Sequence, residues 1–433
     1  MNSIPEKIII ELDNIINIAF KYRNNSISES FFLDIMQSIK ANKNQETIYR
    51  EYILSKCVEI TKDDDIDETD ESIDITVKIK PYDTANIDIT PKQPTIGNIT
   101  ERLRNDEIDL LPEFQRRADL WTDQQKSQLV ESLILKIPLP AFYFDGSNDE
   151  KWIVIDGLQR LSALKNFFVD KNLALSGLEF LTDLNGAKID DLPRAYSRRM
   201  METQVMAYII NPGAPINLKY NIFKRINTGG LRLEPQEIRH ALYQGYATQY
   251  VKELAEILIF REATGYSIKT ERMLDREFVL RFIAFYEQEL KDYNGSIEIF
   301  LNNAMDIINN KYDPNINKNY SENIKNVFIN ILNLSYYLFG NFAFRKMPDE
   351  EKRRPISKAL FETWTSCLAK LTNDEIIMLK ENKILLIHKY IRMNKDDNEF
   401  IESLSSAKIS SVKKRFESIQ KLIMEVLNNV NTD

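Results

Sequence analysis

Ile153-Val154-Ile155-Asp156-Gly157-Leu158-Gln159-Arg160-Leu161-Ser162-Ala163-Leu164 is the stretch on which the reading of this chain turns. A β-branched apolar run ends in an acid and a glycine, and helical spacing follows at once. Strand, tight turn and helix N-terminus is the build of many phosphate-handling sites. With about 100° per residue counted from Gly157, Leu161, Leu164 and Phe168 share one face and Leu158 lies at its edge. Gln159, Ser162 and Asn166 fall opposite. Arg160 falls between Phe167 and Leu164, toward the apolar side. A guanidinium there needs an anion, because an unpaired buried charge is costly. Two partners fit. One is an internal carboxylate such as Asp156, and the other is a phosphate, which suits the planar donor fork.

Outward from this stretch, residues 82–245 alternate short strands and helices. Ile87-Asp88-Ile89 reads as a strand, and a helix starting at Pro94-Thr95 runs through Ile96, Ile99 and Leu103. Gln124 to Leu135 reads as an amphipathic helix ended by Pro138 and Pro140. Ala141–Phe144, Trp152–Ile155 and Gln204–Ile210 read as strands. The natural class is mixed α/β. From 246 to 433 glycine is rare and helical spacing dominates, as in Phe278, Leu280, Phe282, Ile283 and Phe285, and again in Leu360, Phe361, Trp364 and Leu368. Residues 1–61 read as a short helical segment, with Ile8, Leu12, Ile15, Ile16 and Phe20 in helical register. A second helix there starts after the cap candidates Ser26 and Ser28. The acidic run around Asp63–Glu71 marks 62–81 as a solvated linker. The expected class is α+β: a mixed α/β domain followed by a large all-α domain.

Composition narrows the chemistry. A net charge of −8 argues against a wholly basic nucleic-acid binder but leaves room for a local basic site. Cys57 and Cys367, with no CxxC, fit a reduced, intracellular chain, and a cytoplasmic location is expected. Met1 to Phe20 lacks the basic and apolar regions of a signal peptide. No run approaches the ~18 uncharged apolar residues of a membrane span. His240 and His388 are the only histidines. A His-Asn-His nuclease and a His/Cys zinc site both need more.

Two further segments carry polar groups in suggestive places. In Leu111-Pro112-Glu113-Phe114-Gln115-Arg116-Arg117-Ala118-Asp119-Leu120-Trp121, at most one of the adjacent arginines points inward. Read alone, this is a loop with a surface arginine and an aromatic anchor at Trp121. Phe223-Lys224-Arg225-Ile226-Asn227-Thr228-Gly229-Gly230 reads as a helix end and tight turn. A new helix then begins at Glu234-Pro235, with Glu237 and Arg239 two apart and on different faces.

In this order PEFQRRADLW, IDGLQRLSAL, FKRINTGGLRLEPQEIRHAL and ERMLDREFVLRF resemble the N-terminal domain family of GmrSD type IV restriction enzymes. That family is ParB/sulfiredoxin-like, and its hallmark is Asp-Gly-Gln-Gln-Arg. Here the first Gln is replaced by Leu158, and Gly157 and Arg160 keep the shorter Gly-x-x-Arg core. FAFRK at 342–346 and RRPISKALFETW at 353–364 resemble the helical half of such proteins, so the likeness covers about 82 to 370. The resemblance implies a ParB-like nucleotide-binding domain in a restriction-type, anti-phage protein. In it Asp156 holds a metal or orients water, Gln159 and Arg160 contact phosphates, and Gln115 and Arg116 complete the anion pocket. Asn227 and Glu237 lie at the rim. Mg²⁺ or Mn²⁺ and a nucleoside triphosphate are the expected cofactor and substrate. DNA, a separate nuclease or effector subunit and a second copy of the chain are the expected partners. Lys352-Arg353-Arg354 and Lys413-Lys414-Arg415 are the candidate DNA contacts, although such runs are commonly solvated helix faces. A ParB-like, metal-dependent DNA nickase and a non-catalytic, nucleotide-switched regulator are the alternatives. The missing second acid beside Asp156 counts against the nickase.

Overall fold

The computed structural model describes residues 4–22, 26–39, 41–61, 89–110, 121–148, 150–226, 234–317 and 319–428. The acidic stretch, Gln115, Arg116 and Asn227 lie outside them. The chain divides into two units, Met1–Val77 with Tyr243–Asp433 as unit 1, and Lys78–Leu242 as unit 2. The N-terminal helices thus group with the C-terminal ones.

In unit 1, α1 (Glu6–Tyr22), α2 (Glu29–Ser38) and α3 (Lys43–Ser55) surround a small core of Leu12, Ile15, Phe32, Tyr49 and Ile53. The segment is not wholly helical. β1 (Ser26–Ser28) pairs in parallel with β2 (Glu59–Thr61), and Ile27 at its centre is fully buried. The Ser-Ile-Ser alternation suits an extended segment that buries one side chain, which is why Ser26 lies in a strand and not at a helix cap.

Unit 2 is built on a five-stranded mixed sheet in the order β3-β7-β5-β6-β4. The strands are β3 (Ile89–Lys92), β4 (Ile108–Asp109), β5 (Phe142–Asp145), β6 (Trp152–Asp156) and β7 (Ala207–Ile210). β5 pairs antiparallel with β6, through an irregularity at Tyr143/Phe144, and parallel with β7. Alternation sorts the side chains of β5. Phe142 and Phe144 enter the core, while Tyr143 stacks on Tyr208 of β7 with ring centroids 5.0 Å apart. β7 is shorter than the expected Gln204–Ile210 strand, and Gln204 makes only an isolated bridge to Thr95.

Helices cover the sheet. α4 (Ile96–Arg104) starts at Thr95 and α5 (Asp123–Ile134) at Thr122, each through a capping box, with Asn98 and Gln125 respectively. α6 (Leu158–Leu164) follows β6 and runs into a π-helical turn, Lys165–Val169. The wider turn lets the adjacent Phe167 and Phe168 both be buried. α7 (Arg194–Glu202), α8 (Ile216–Ile226) and α9 (Pro235–Leu242) complete the unit.

The rest of unit 1 is helical, as the glycine-poor spacing predicts. α10 (Tyr246–Glu256), α11 (Leu258–Ala263), α12 (Leu274–Glu287), α13 (Ile297–Ile307), α14 (Tyr320–Phe339), α15 (Lys358–Leu368), α16 (Asn373–Glu381), α17 (Lys383–Asp396), α18 (Asn398–Ser403) and α19 (Ile409–Asn428) enclose an aromatic core. Phe361 meets Phe260, Phe278 and Phe344 there. The class is α+β. Among the described residues no helix is long and apolar enough to cross a membrane.

Candidate functional site

The end of β6 sets the site. Asp156 closes the strand, Gly157 turns with φ +104°, and α6 begins at Leu158. The turn allows no side chain at Gly157, because a Cβ there would meet the Phe142 ring at 2.5 Å. Glycine is required both by conformation and by space.

Arg160 lies in the first turn of α6 and is 9% exposed. Its guanidinium donates to the Pro140 carbonyl, to the Ala141 carbonyl at 3.3 Å and to Asp156 Oδ2 at 2.8 Å. It lies over the Phe142 ring, 4.6 Å from the centroid. Burial pushes the guanidinium below its ordinary value, and the charge and hydrogen bond of Asp156 act against that shift. The internal carboxylate, one of the two partners the sequence allowed, is engaged. Arg160 ties the turn to the segment leading into β5 and orients Asp156. The Asp156 side chain remains 36% exposed. Gln159, on the other face as its spacing predicts, accepts a hydrogen bond from the Trp121 N–H at 3.3 Å. This bond joins the Asp-Gly-Leu-Gln-Arg turn to the end of the arginine-bearing segment, whose Gln115 and Arg116 lie outside the described residues. Trp121 packs at the edge of the unit 2 core, as an anchor should.

Glu237 is 2% exposed, so it does not form an open rim. Its carboxylate accepts the Glu234 N–H at 2.7 Å and closes the start of α9. Asn227 lies outside the described residues.

In the two basic runs Lys352 and Lys413 are exposed, and the other side chains are engaged or buried. Arg415 is 1% exposed and donates to Glu362, to the Ser403 carbonyl at 3.1 Å and to the Ser406 carbonyl at 2.8 Å. It shares the buried stripe of α19 with Val412, Phe416 and Ile419, so the expectation that it contacts DNA is corrected. Lys414 pairs with Glu399 at 2.6 Å and Lys413 with Glu417 at 3.6 Å. Arg353 donates to Ser267 Oγ at 2.6 Å, and Arg354 pairs with Asp349 at 3.3 Å. Lys352 is exposed.

One buried group went unnoticed in the sequence. Lys219 on α8 donates to both oxygens of Asp145, at 3.1 and 3.0 Å, and to the Ser147 hydroxyl. Both charged side chains are at most 10% exposed. Lys219 precedes the buried Phe223 by four residues, so the same spacing argument that singled out Arg160 would have found it.

No three His, Cys, Asp or Glu side chains among the described residues converge as a metal site. One oxygen of Asp156 is already engaged by Arg160. Among the described residues this donor set does not by itself complete a site for a resident metal ion. Residues 96–244 match the family model described as GmrSD restriction endonuclease, N-terminal domain. That span contains the site, and the domain is one of restriction-type, defence-associated proteins. No match was found among curated proteins or among solved structures.

Proposed function

We propose that this GmrSD-type domain binds a nucleoside triphosphate at the mouth formed by Asp156 and Gln159, and that its reaction is hydrolysis of the triphosphate. Mg²⁺ (or Mn²⁺) enters as part of the substrate. A cation already held by phosphates needs only one or two carboxylates from the protein. Asp156 meets the substrate, Gln159 fixes the neighbouring segment, and Arg160 is a positioning residue that holds Asp156. The helical unit couples the nucleotide state to DNA or to an effector subunit. The observation that carries this reading is the Arg160–Asp156 pair at 2.8 Å beside a turn that only glycine can make. It holds a partly exposed carboxylate rigidly at a strand end, as positioning for phosphoryl transfer requires.

The test is phosphate release from each triphosphate with Mg²⁺, with and without DNA, beside nucleotide binding by calorimetry. Asp156→Asn should abolish turnover. Arg160→Ala should lower kcat by about 100-fold, the scale of a misplaced reacting group, and Arg160→Lys should recover part of the loss with KM little changed. Equal binding and turnover in wild type and Arg160→Ala would remove the assignment. Plasmid nicking without nucleotide would favour the nickase instead.

A further inference from the structure

Between the end of α5 and the loop around residue 180 lies a cavity of about 260 Å³. Ser132, Leu135 and Ile137 form one wall, and Glu179 and Phe180 the other. Among the described residues of unit 2, the large apolar side chains left exposed are Ile89, Leu135, Ile137 and Phe180. Three of these four line this one cavity. Single exposed apolar residues need no explanation, but a cluster around a recess does.

Both walls are fixed from behind. α5 ends in a Schellman-type turn, with the Ile137 N–H on the Ser132 carbonyl at 2.8 Å and the Lys136 N–H on the Leu133 carbonyl at 3.2 Å. The opposite loop hangs on one carboxylate. Glu131 accepts the backbone N–H groups of Glu179, Phe180 and Leu181 at 3.1, 2.8 and 2.7 Å. Gln128 donates to Glu179 at 3.1 Å, and Ser127 Oγ accepts the Ser176 N–H at 2.9 Å. Phe180 is therefore held out into solvent, 70% exposed, by backbone that is already ordered. Association at such a patch has little chain left to order.

We propose that this face is a two-fold interface between two copies of the chain. A two-fold contact must be self-complementary, because the same patch meets itself. This patch has a projecting ring beside a recess. It also has an exposed acid, Glu179, next to the ring and an exposed base, Lys136, between Leu135 and Ile137. A two-fold axis through it seats each Phe180 in the other copy's recess and sets each Glu179 against the other copy's Lys136. A two-fold contact uses all four.

Sedimentation equilibrium of the full chain over a concentration series tests this. The wild type should show a monomer–dimer equilibrium. Phe180→Asp should weaken it by more than about tenfold, as loss of a central aromatic anchor does. Glu179→Lys and Lys136→Glu should each weaken it several-fold, and the double variant should regain most of the wild-type dimer. A monomeric wild type, an unchanged Phe180→Asp dimer, or a double variant no tighter than either single one would each overturn the proposal. The charge-reversal pair decides the matter if Phe180→Asp fails to fold.

Discussion

At Gly157 two demands coincide, a φ of +104° and a Phe142 ring 2.5 Å from where a Cβ would stand. Gly177, with φ +64°, shares the first demand but meets only the Gln124 side chain, which can move. Gly157→Ala should therefore destabilise unit 2 by about 2–4 kcal/mol and Gly177→Ala by about 1–2 kcal/mol, measured by urea unfolding. An equal cost at both positions would mean that the ring yields. The same scale shows what spacing can and cannot carry. The position of Arg160 on the helix announced that a buried charge needed a partner. It could not announce the carbonyls of Pro140 and Ala141, since periodicity says nothing of where a distant carbonyl points. Lys219 is equally legible by its spacing from Phe223, but its acid is not, because Asp145 lies 74 residues away and leaves no local mark.

Among the elements, the loop around Phe180 depends most on one side chain. Burial pushes the Glu131 carboxyl up, but the three backbone N–H groups of Leu181, Phe180 and Glu179 outweigh it, and the group lies below the ordinary glutamate value. A depressed carboxyl contributes stability above its unfolded value and loses it as pH falls through the folded one. Glu131→Gln should thus cost about 1–3 kcal/mol at pH 7. The gap to wild type should narrow as the pH drops below about 4, followed by denaturant unfolding across pH. A gap that stays constant would show that the charge of Glu131 does not hold the loop. The start of α4 was readable because Thr95 caps it, whereas α5 begins at Asp123 behind its Thr122 cap, ahead of the expected Gln124. β1 and β2 were not, because three residues give no period, and pairing between segments so far apart leaves no local mark. β7 is shorter than its apolar run because Gln204 leaves the sheet to bridge Thr95.

At the scale of the molecule, unit 1 is centred on charge as well as on rings. Glu362, fully buried, accepts from Arg281 at 2.8 Å and from Arg415, while Arg281 also donates to Glu277 at 2.9 Å. Lys358 joins Glu277 at 3.1 Å. Glu362→Gln leaves buried cations short of a counter-charge and should cost about 3–5 kcal/mol. Hydrogen exchange should quicken in α12, α15 and α19, with β5 and β6 of unit 2 unaffected. Faster exchange in both units would show that they unfold as one. The helical character of this unit was plain from its spacing. Its centre was not, because Glu277, Glu362 and Arg415 meet only through the fold. The buried stripe of α19 alone could have shown that Arg415 points inward. In unit 2 the Arg160–Asp156 and Lys219–Asp145 pairs sit at opposite ends of one hairpin. Asp156 lies opposite Tyr143 at one end of the β5–β6 pair, and Asp145 lies opposite Ile153 at the other. A one-residue slip of β6 along β5 would turn its apolar side chains to the wrong face, so burial alone forbids it. A two-residue slip would keep every face correct, and burial could not detect it. It would, however, carry Asp156 away from the Ala141 carbonyl and the Phe142 ring that fix Arg160, while Asp145 stays on Lys219. Alignment of the hairpin is thus proofread electrostatically, against the one error to which its hydrophobic pattern is blind.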